Sequence, residues 1–174
     1  MAVSIRSVID GDIGAITRIY AGAVIHGTAT FEIDPPDEAD MARRRDDLLG
    51  NGYPYLVATV GGAVAGYAYA GPYRARPAYR WCVEDSIYVA ADYHRQGLGG
   101  RLLAQLLAES ERLGFRQMIA VIGDSAQAAS IAVHKRAGFA LMGTLRSVGF
   151  KHGRWLDTVL MQHALGEGDA RPPR

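Results

Sequence analysis

The sequence predicts a single α/β domain, and three observations carry that prediction. A chain of 174 residues suits one ordinary domain and can bury a core without disulfide or metal staples. Runs of strand character, "YPYLVATV", "AVAGYAYA", "RWCVEDSIYV" and "QMIAVI", alternate with segments whose apolar residues follow the helical period. No internal repeat and no second core interrupts residues 1–166, which are assigned to the one domain. The tail 167–174 has too little apolar content to fold and is assigned as disordered.

Taken in order, residues 3–6 read as a short strand, and Asp10 caps a helix carrying Ile13, Ile16, Ile19, Tyr20, Ala23 and Val24 on one stripe. Asp34 followed by Pro35 reads as an N-cap with proline at the first helical position, opening a helix that runs to the stop at Gly50–Gly52. Gly61-Gly62 joins two β-rich runs into a hairpin, because both glycines accept the positive φ of a tight turn. The run "RWCVEDSIYV" feeds a glycine loop. After it, Leu98, Leu102, Leu103, Leu106, Leu107 and Leu113 form one helix stripe that Gly114 ends. "QMIAVI", bounded by Gly123-Asp124-Ser125, reads as a central buried strand. A short helix from about 127 to 137 stops at Gly138, and two strands, "FALMGTLRSVGF" and "RWLDTVLMQHAL", complete the domain.

Charge and composition narrow the function. With 19 basic against 18 acidic residues and a net charge of +1, nothing favours a nucleic-acid partner. The run Arg43–Arg45 is followed at once by Asp46 and Asp47 and reads as a solvated helix face. The one cysteine, Cys82, rules out an internal disulfide and reads as a small buried strand residue. There is neither a secretory leader pattern nor an apolar run of about 18 residues, so a soluble, cytoplasmic protein with no membrane contact is expected.

The most informative stretch is "DYHRQGLGGRLLAQLLAES". Gly97, Gly99 and Gly100 lie where a strand passes into a leucine-striped helix, and glycine there costs backbone entropy. An anion site is a physical reason to accept that cost: backbone N–H groups of such a loop converge on phosphate, with the positive end of the helix dipole behind them. A Rossmann fingerprint fails because its third glycine would fall at Leu102, and no G-K-[ST] string for a Walker A loop exists.

The remaining pattern, [QR]-x-x-G-x-[GA] between strand and helix, resembles the acetyl-CoA loop of the GNAT superfamily of N-acetyltransferases. His94-Arg95-Gln96-Gly97-Leu98-Gly99 matches it with His94 at the position usually held by Gln or Arg. The segments "GPYRARPAYRWCVEDSIYV", "AVIGDSAQAASIAVHKRAGF" and "VGFKHGRWLD" are similar to the phosphinothricin and methionine sulfoximine acetyltransferase branch, and the likeness spans residues 3 to about 165.

That resemblance implies a GNAT fold, α/β in the α+β sense, with a mixed, mostly antiparallel twisted sheet flanked by helices on both faces. It implies acetyl-CoA as cosubstrate with no metal, a small amino acid as acceptor, and a homodimer; direct attack by the amine in a ternary complex is expected because Cys82 lies two residues before Glu84 and no Cys–His pair is apparent for an acetyl-enzyme. Phosphinothricin, methionine sulfoximine and methionine sulfone lead the acceptors.

Site residues follow from the same match. Glu84 is the expected base, since an α-ammonium with a pKa near 8 must lose a proton before attack. His134, four residues before Gly138, is expected to protonate the departing thiolate, whose conjugate acid has a pKa of ~8.5. Ile87, Tyr88 and Val89 are expected to offer backbone groups to the acetyl and pantetheine arm. His94, Arg95, Gln96, Gly97, Leu98, Gly99 and Gly100 would hold the pyrophosphate, with Gln127 and Ser130 as further CoA contacts. Phe31, Arg74, Arg76, Tyr79, Glu84, Asp85 and Ser86 are the expected acceptor contacts, the two arginines for a carboxylate. In a regular strand Asp85 points away from Glu84, so both acids face one substrate only if a bulge intervenes. Two alternatives stay open from sequence: a GNAT enzyme for another amine, such as a peptide N-terminus or a polyamine, and a non-catalytic acetyl-CoA sensor.

Overall fold

Two apolar patterns place the chain on the two faces of one sheet. The computed structural model describes residues 2–173. Its elements are β1 (Val3–Ser7), α1 (Ile13–His26), α2 (Glu38–Gly50), β2 (Tyr55–Val60), β3 (Ala63–Pro72), β4 (Cys82–Val89), α3 (Leu98–Arg112), β5 (Gln117–Gly123), α4 (Ala128–Arg136), β6 (Ala140–Lys151) and β7 (Arg154–Ala164). The seven strands lie in the order β1-β2-β3-β4-β5-β7-β6. Every neighbouring pair is antiparallel except β4 and β5. The sheet is therefore mixed and mostly antiparallel, as expected.

Strand alternation sorts the core. Tyr55, Val57 and Tyr67 turn toward Ile13, Ile16, Tyr20 and Val24 of α1 and Met41 of α2. Leu56, Ala58, Ala68 and Val83 turn the other way, onto Leu102, Leu103 and Leu106 of α3. Each of these fully buried leucines contributes roughly 1.5–3 kcal/mol. Leu113 is the exception to the predicted stripe: it is 41% exposed because the helix has ended at Arg112, with Gly114 at φ +90° reversing the chain.

Three local expectations need correction. Asp10 is not the α1 cap. It sits in a 3₁₀ turn with an exposed side chain, whereas Asp12 is buried, accepts from the Ile9 N–H at 2.9 Å, and takes both Arg6 nitrogens at 2.7 and 2.8 Å. Nor does Asp34 cap α2: Asp37 does, its Oδ1 accepting from Asp40 N–H at 2.8 Å. The paired Pro35-Pro36 disfavours the helical region for the residue before each proline, which delays the helix. Finally, the Arg43–Arg45 face is only partly solvated, since Arg45 is buried between Asp10 and Asp46.

The feature that positions the site is where one ladder stops. β4 and β5 pair from Cys82↔Gln117 to Asp85↔Ala120 and no further. Beyond that register β4 continues with β3 to Val89, and β5 continues with β7 to Gly123. The strands splay apart, which leaves Val121 exposed on an otherwise central strand and frees backbone groups along the opening. No helix among the described residues is long and apolar enough to cross a membrane.

Candidate active site

A cavity of about 300 Å³ fills the splay. Ser86, Ile87 and Tyr88 of β4 form one side and Val121–Gly123 of β5 the other; Glu84 and Asp85 lie at the point of divergence. Gln127, Ser130 and His134 come from α4, and Phe31 from the loop after α1.

β4 carries no bulge against β3, since its pairing runs without a shift from Gly66↔Val89 to Pro72↔Val83. Its side chains alternate, so Glu84, Ser86 and Tyr88 lie on the α1/α2 face and Asp85 on the α3/α4 face. Both acids nevertheless line the same cavity, because the broken ladder opens it to both faces. From sequence, a bulge is the only route to this outcome. A strand end achieves it instead.

Glu84 is held above the ordinary carboxylate pKa, first by burial and then by the neighbouring charge of Asp85, with Arg74 pulling the other way. Cys82, two residues earlier, has its thiol pushed up to about 11 by burial and by Glu84, which suits a packing role and not a nucleophile. On the opposite face, His134 is buried and bonded at both ring nitrogens: Nδ1 donates to the Ser130 carbonyl at 2.8 Å, and Nε2 lies 2.9 Å from Asp85 Oδ2. Burial alone lowers the His134 pKa. The Asp85 hydrogen bond and charge, with the Ser130 carbonyl, outweigh it, so the net shift is upward.

The glycine loop is braced from within. His94 Nε2 donates to the Val89 carbonyl at 2.9 Å and Gln96 Nε2 to the Asp92 carbonyl at 3.2 Å, so both side chains turn onto the loop itself. Arg95 at φ +60° and Gly97 at φ +76° turn the backbone into the left-handed region. The first bond of α3 runs from Arg101 N–H to the Gly97 carbonyl, which leaves the N–H groups of Leu98, Gly99 and Gly100 without intrahelical partners. The Leu98 side chain is packed with Val60 and Ala65, so its contribution to the loop surface is its backbone. A Cβ built at Gly97 or Gly100 would meet nothing within 4 Å, and one at Gly99 only Val89 Cγ2 at 4.0 Å. The space above the helix start is open, and three free N–H groups face it. This donor set fits a pyrophosphate.

The loop carrying Phe31 is pinned at several points that sequence reasoning missed. Thr28 Oγ1 donates to Asp124 Oδ2 at 3.2 Å and accepts from Gln127 Nε2 at 3.0 Å; Arg154 donates to the same Asp124 Oδ2 at 2.5 Å. Lys151 Nζ donates to the Thr30 carbonyl at 2.9 Å, and Tyr20 bonds both Thr30 and Glu32 at 2.9 Å. Gln127, expected to contact CoA, spends its amide on Thr28. The signal available in sequence was Asp124 in "GDS", read only as a turn; its φ of +72° marks a constrained residue.

Of the expected acceptor contacts, Phe31, Glu84, Asp85 and Ser86 line the cavity. Arg74, Arg76 and Tyr79 do not. They lie exposed on the segment between β3 and β4, where Arg74 stacks on the Tyr73 ring at 4.8 Å and Tyr79 meets it edge-on at 5.7 Å.

Comparison with known proteins identifies the family and the fold. A profile of the Acetyltransferase (GNAT) family matches residues 19–139. Phosphinothricin N-acetyltransferase of Alcaligenes faecalis is 51% identical over 172 residues, covering 99% of this chain and 87% of that one. The L-methionine sulfoximine/L-methionine sulfone acetyltransferase of Pseudomonas aeruginosa is 40% identical over 163 residues, covering 93% and 94%. Among solved structures, a GNAT superfamily phosphinothricin acetyltransferase from Sinorhizobium meliloti in complex with acetyl-CoA superposes with a TM-score of 0.97 at 50% identity, covering 100% of this chain and 94% of that one.

Proposed function

Since the chain belongs to the GNAT family of acetyltransferases, we propose that its cavity transfers an acetyl group from acetyl-CoA to the α-amino group of phosphinothricin, methionine sulfoximine or methionine sulfone. The observation that carries this reading is the end of the β4–β5 ladder, where Glu84 and His134 reach one cavity from opposite faces of the sheet. The names of the relatives supply the acceptor class.

Acetyl-CoA supplies an activated thioester when bound. Leu98, Gly99 and Gly100 hold its pyrophosphate by backbone N–H groups, with Arg95 adding charge, while His94 and Gln96 brace the loop. Ile87, Tyr88 and Val89 offer backbone groups along the splayed edge, and one N–H there receives the developing oxyanion. Ser130 and Gln127 bound the same channel.

Glu84 takes the amine proton, directly or through water; burial raises its basicity toward that task. His134 gives a proton to the departing thiolate. Phe31 and Ser86 wall the acceptor, and Arg74 and Arg76 hold its carboxylate from the exposed segment, where the charge of Arg74 already acts on Glu84. Exposed Leu141, Leu145, Val148 and Phe150 on the edge strand β6, with Trp155 at 64% exposure beside them, support a homodimer. We assign the domain to residues 1–166 and the protein to the cytoplasm.

The test is a panel of acceptors scored by CoA release. Phosphinothricin, methionine sulfoximine and methionine sulfone should lead in kcat/KM, ahead of polyamines and peptide N-termini. Preference for a polyamine or a peptide would overturn the acceptor assignment.

A further inference from the structure

His134 and Asp85 form a buried couple with no slack in its hydrogen bonding. The Ser130 carbonyl can only accept, so His134 Nδ1 carries a hydrogen. At 2.9 Å from Asp85 Oδ2, Nε2 also faces an acceptor whenever that carboxyl is ionised. Both bonds are then satisfied only by the doubly protonated ring, an imidazolium opposite a carboxylate. The two side chains are 6% and 3% exposed. Asp85 Oδ1 is buried with no hydrogen-bond partner among the described residues, so His134 is the one bonded group that offsets the aspartate's charge.

We infer that Asp85 is a positioning residue for the reaction: its carboxylate fixes the His134 ring and keeps Nε2 protonated, so that a proton stands ready for the thiolate. This rests on the acid role of His134 proposed above and adds to it the residue that keeps the acid loaded. The hydrogen transferred is the one that Nε2 shares with Asp85 Oδ2, so transfer breaks both the Nε2–H bond and that hydrogen bond, forms S–H on CoA, and leaves neutral imidazole beside the Asp85 carboxylate. The acceptor ammonium loses two protons in becoming an amide. One leaves through Glu84 to solvent, and the second, shed as the amide forms, restores Nε2, so protons balance over the cycle.

The surroundings favour the charged ring. Asp85 and, next to it in the chain, Glu84 come from β4. Phe139 meets the ring edge-on at 5.0 Å, with His163 of β7 stacked on Phe139 at 5.2 Å. Lys135 and Arg136, the next residues of α4, are exposed. The upward shift of His134 agrees in sign: the imidazolium persists until pH rises through the raised value.

The experiment follows ring protonation and turnover together. In ¹⁵N-histidine-labelled protein, the His134 signals, assigned by their loss in His134→Gln, should keep the imidazolium pattern to higher pH than free histidine. In Asp85→Asn they should turn neutral at lower pH. Its kcat should fall roughly tenfold at pH 8 and less at pH 6, with KM for acetyl-CoA little changed; a thioester with a more acidic thiol should narrow the deficit, and Asp85→Glu should recover part of it. A wild-type His134 that is already neutral at pH 7 overturns the inference without any variant. So does an Asp85→Asn protein with unaltered ring titration or an unaltered pH profile. If His134→Gln itself turns over normally, the acid role has failed; if only Asp85→Asn does so, the positioning role alone has failed.

Discussion

The ring of Phe31 occupies the space that side chains at Gly149 and Gly123 would need. A Cβ at Gly149 would collide with Phe31 Cε2 and lie 2.6 Å from Cδ2; one at Gly123 would collide first with the Thr28 carbonyl oxygen and lie 2.9 Å from Phe31 Cε1. Phe31 is thus seated between two strands through the absence of two side chains, on a loop tied down by Asp124, Gln127 and Lys151. Gly149→Ala should displace the ring toward the cavity at an overpacking cost of about 1–3 kcal/mol. KM for the amino-acid acceptor should rise several-fold while KM for acetyl-CoA holds. Equal change in both would mean that the ring supports the fold and not the acceptor.

Glycines of the CoA loop should separate binding from stability. A Cβ at Gly99 meets only Val89 Cγ2, at 4.0 Å, so in Gly99→Val the melting temperature should stay near wild type while acetyl-CoA affinity falls by more than tenfold, about 1.4 kcal/mol. Gly97→Ala should do the reverse in part, costing roughly 1 kcal/mol of stability from its left-handed φ. Calorimetry of acetyl-CoA binding beside thermal melts reads both. Retained affinity in Gly99→Val would remove the loop from the binding account.

Asp12 ties β1 to the start of α1 through Arg6 and the Ile9 N–H. Its pKa is lowered, first by the Arg6 hydrogen bonds against opposing burial, so its stabilisation is present above the unfolded carboxylate value and is lost as pH falls through the lowered folded one. Asp12→Asn should destabilise by about 1–3 kcal/mol at pH 7, less than a fully buried pair because Arg6 is partly exposed. The gap in melting temperature should begin to narrow below about pH 4 and close only beneath the lowered folded value. A gap that is constant with pH would mean that packing, not charge, accounts for the loss.

Much of this was legible in the chain because it rests on local chemistry. The leucines of α3 and the Gly61-Gly62 hairpin are set by periodicity and turn residues, and the family was legible through motif resemblance. Helix starts were less legible: the cap at Asp37 depends on Pro36 holding the chain extended, and Asp12 is engaged by an arginine on another element. Least legible were contacts between distant segments. The Asp85–His134 pair spans 49 residues and Thr28–Gln127 spans 99, and no spacing rule reaches that far.

The β6 edge offers an independent test of assembly. Trp155→Glu with Phe150→Glu should convert a dimer to a monomer in light scattering at micromolar concentration, since two buried charges would face each other's copies across the interface. A wild-type chain that is monomeric under those conditions would refute the homodimer.

Glu84 is the group that frees the amine in the proposed reaction. Glu84→Gln keeps size and hydrogen-bonding capacity while removing basicity, so kcat for the best acceptor should fall by about 10²–10⁴-fold, with acetyl-CoA affinity close to wild type. The wild-type rate should also decline as pH drops through the raised Glu84 value, because the protonated acid cannot accept the amine's proton. Near-wild-type kcat in Glu84→Gln at neutral pH would contradict the assignment and leave the amine to lose its proton by another route.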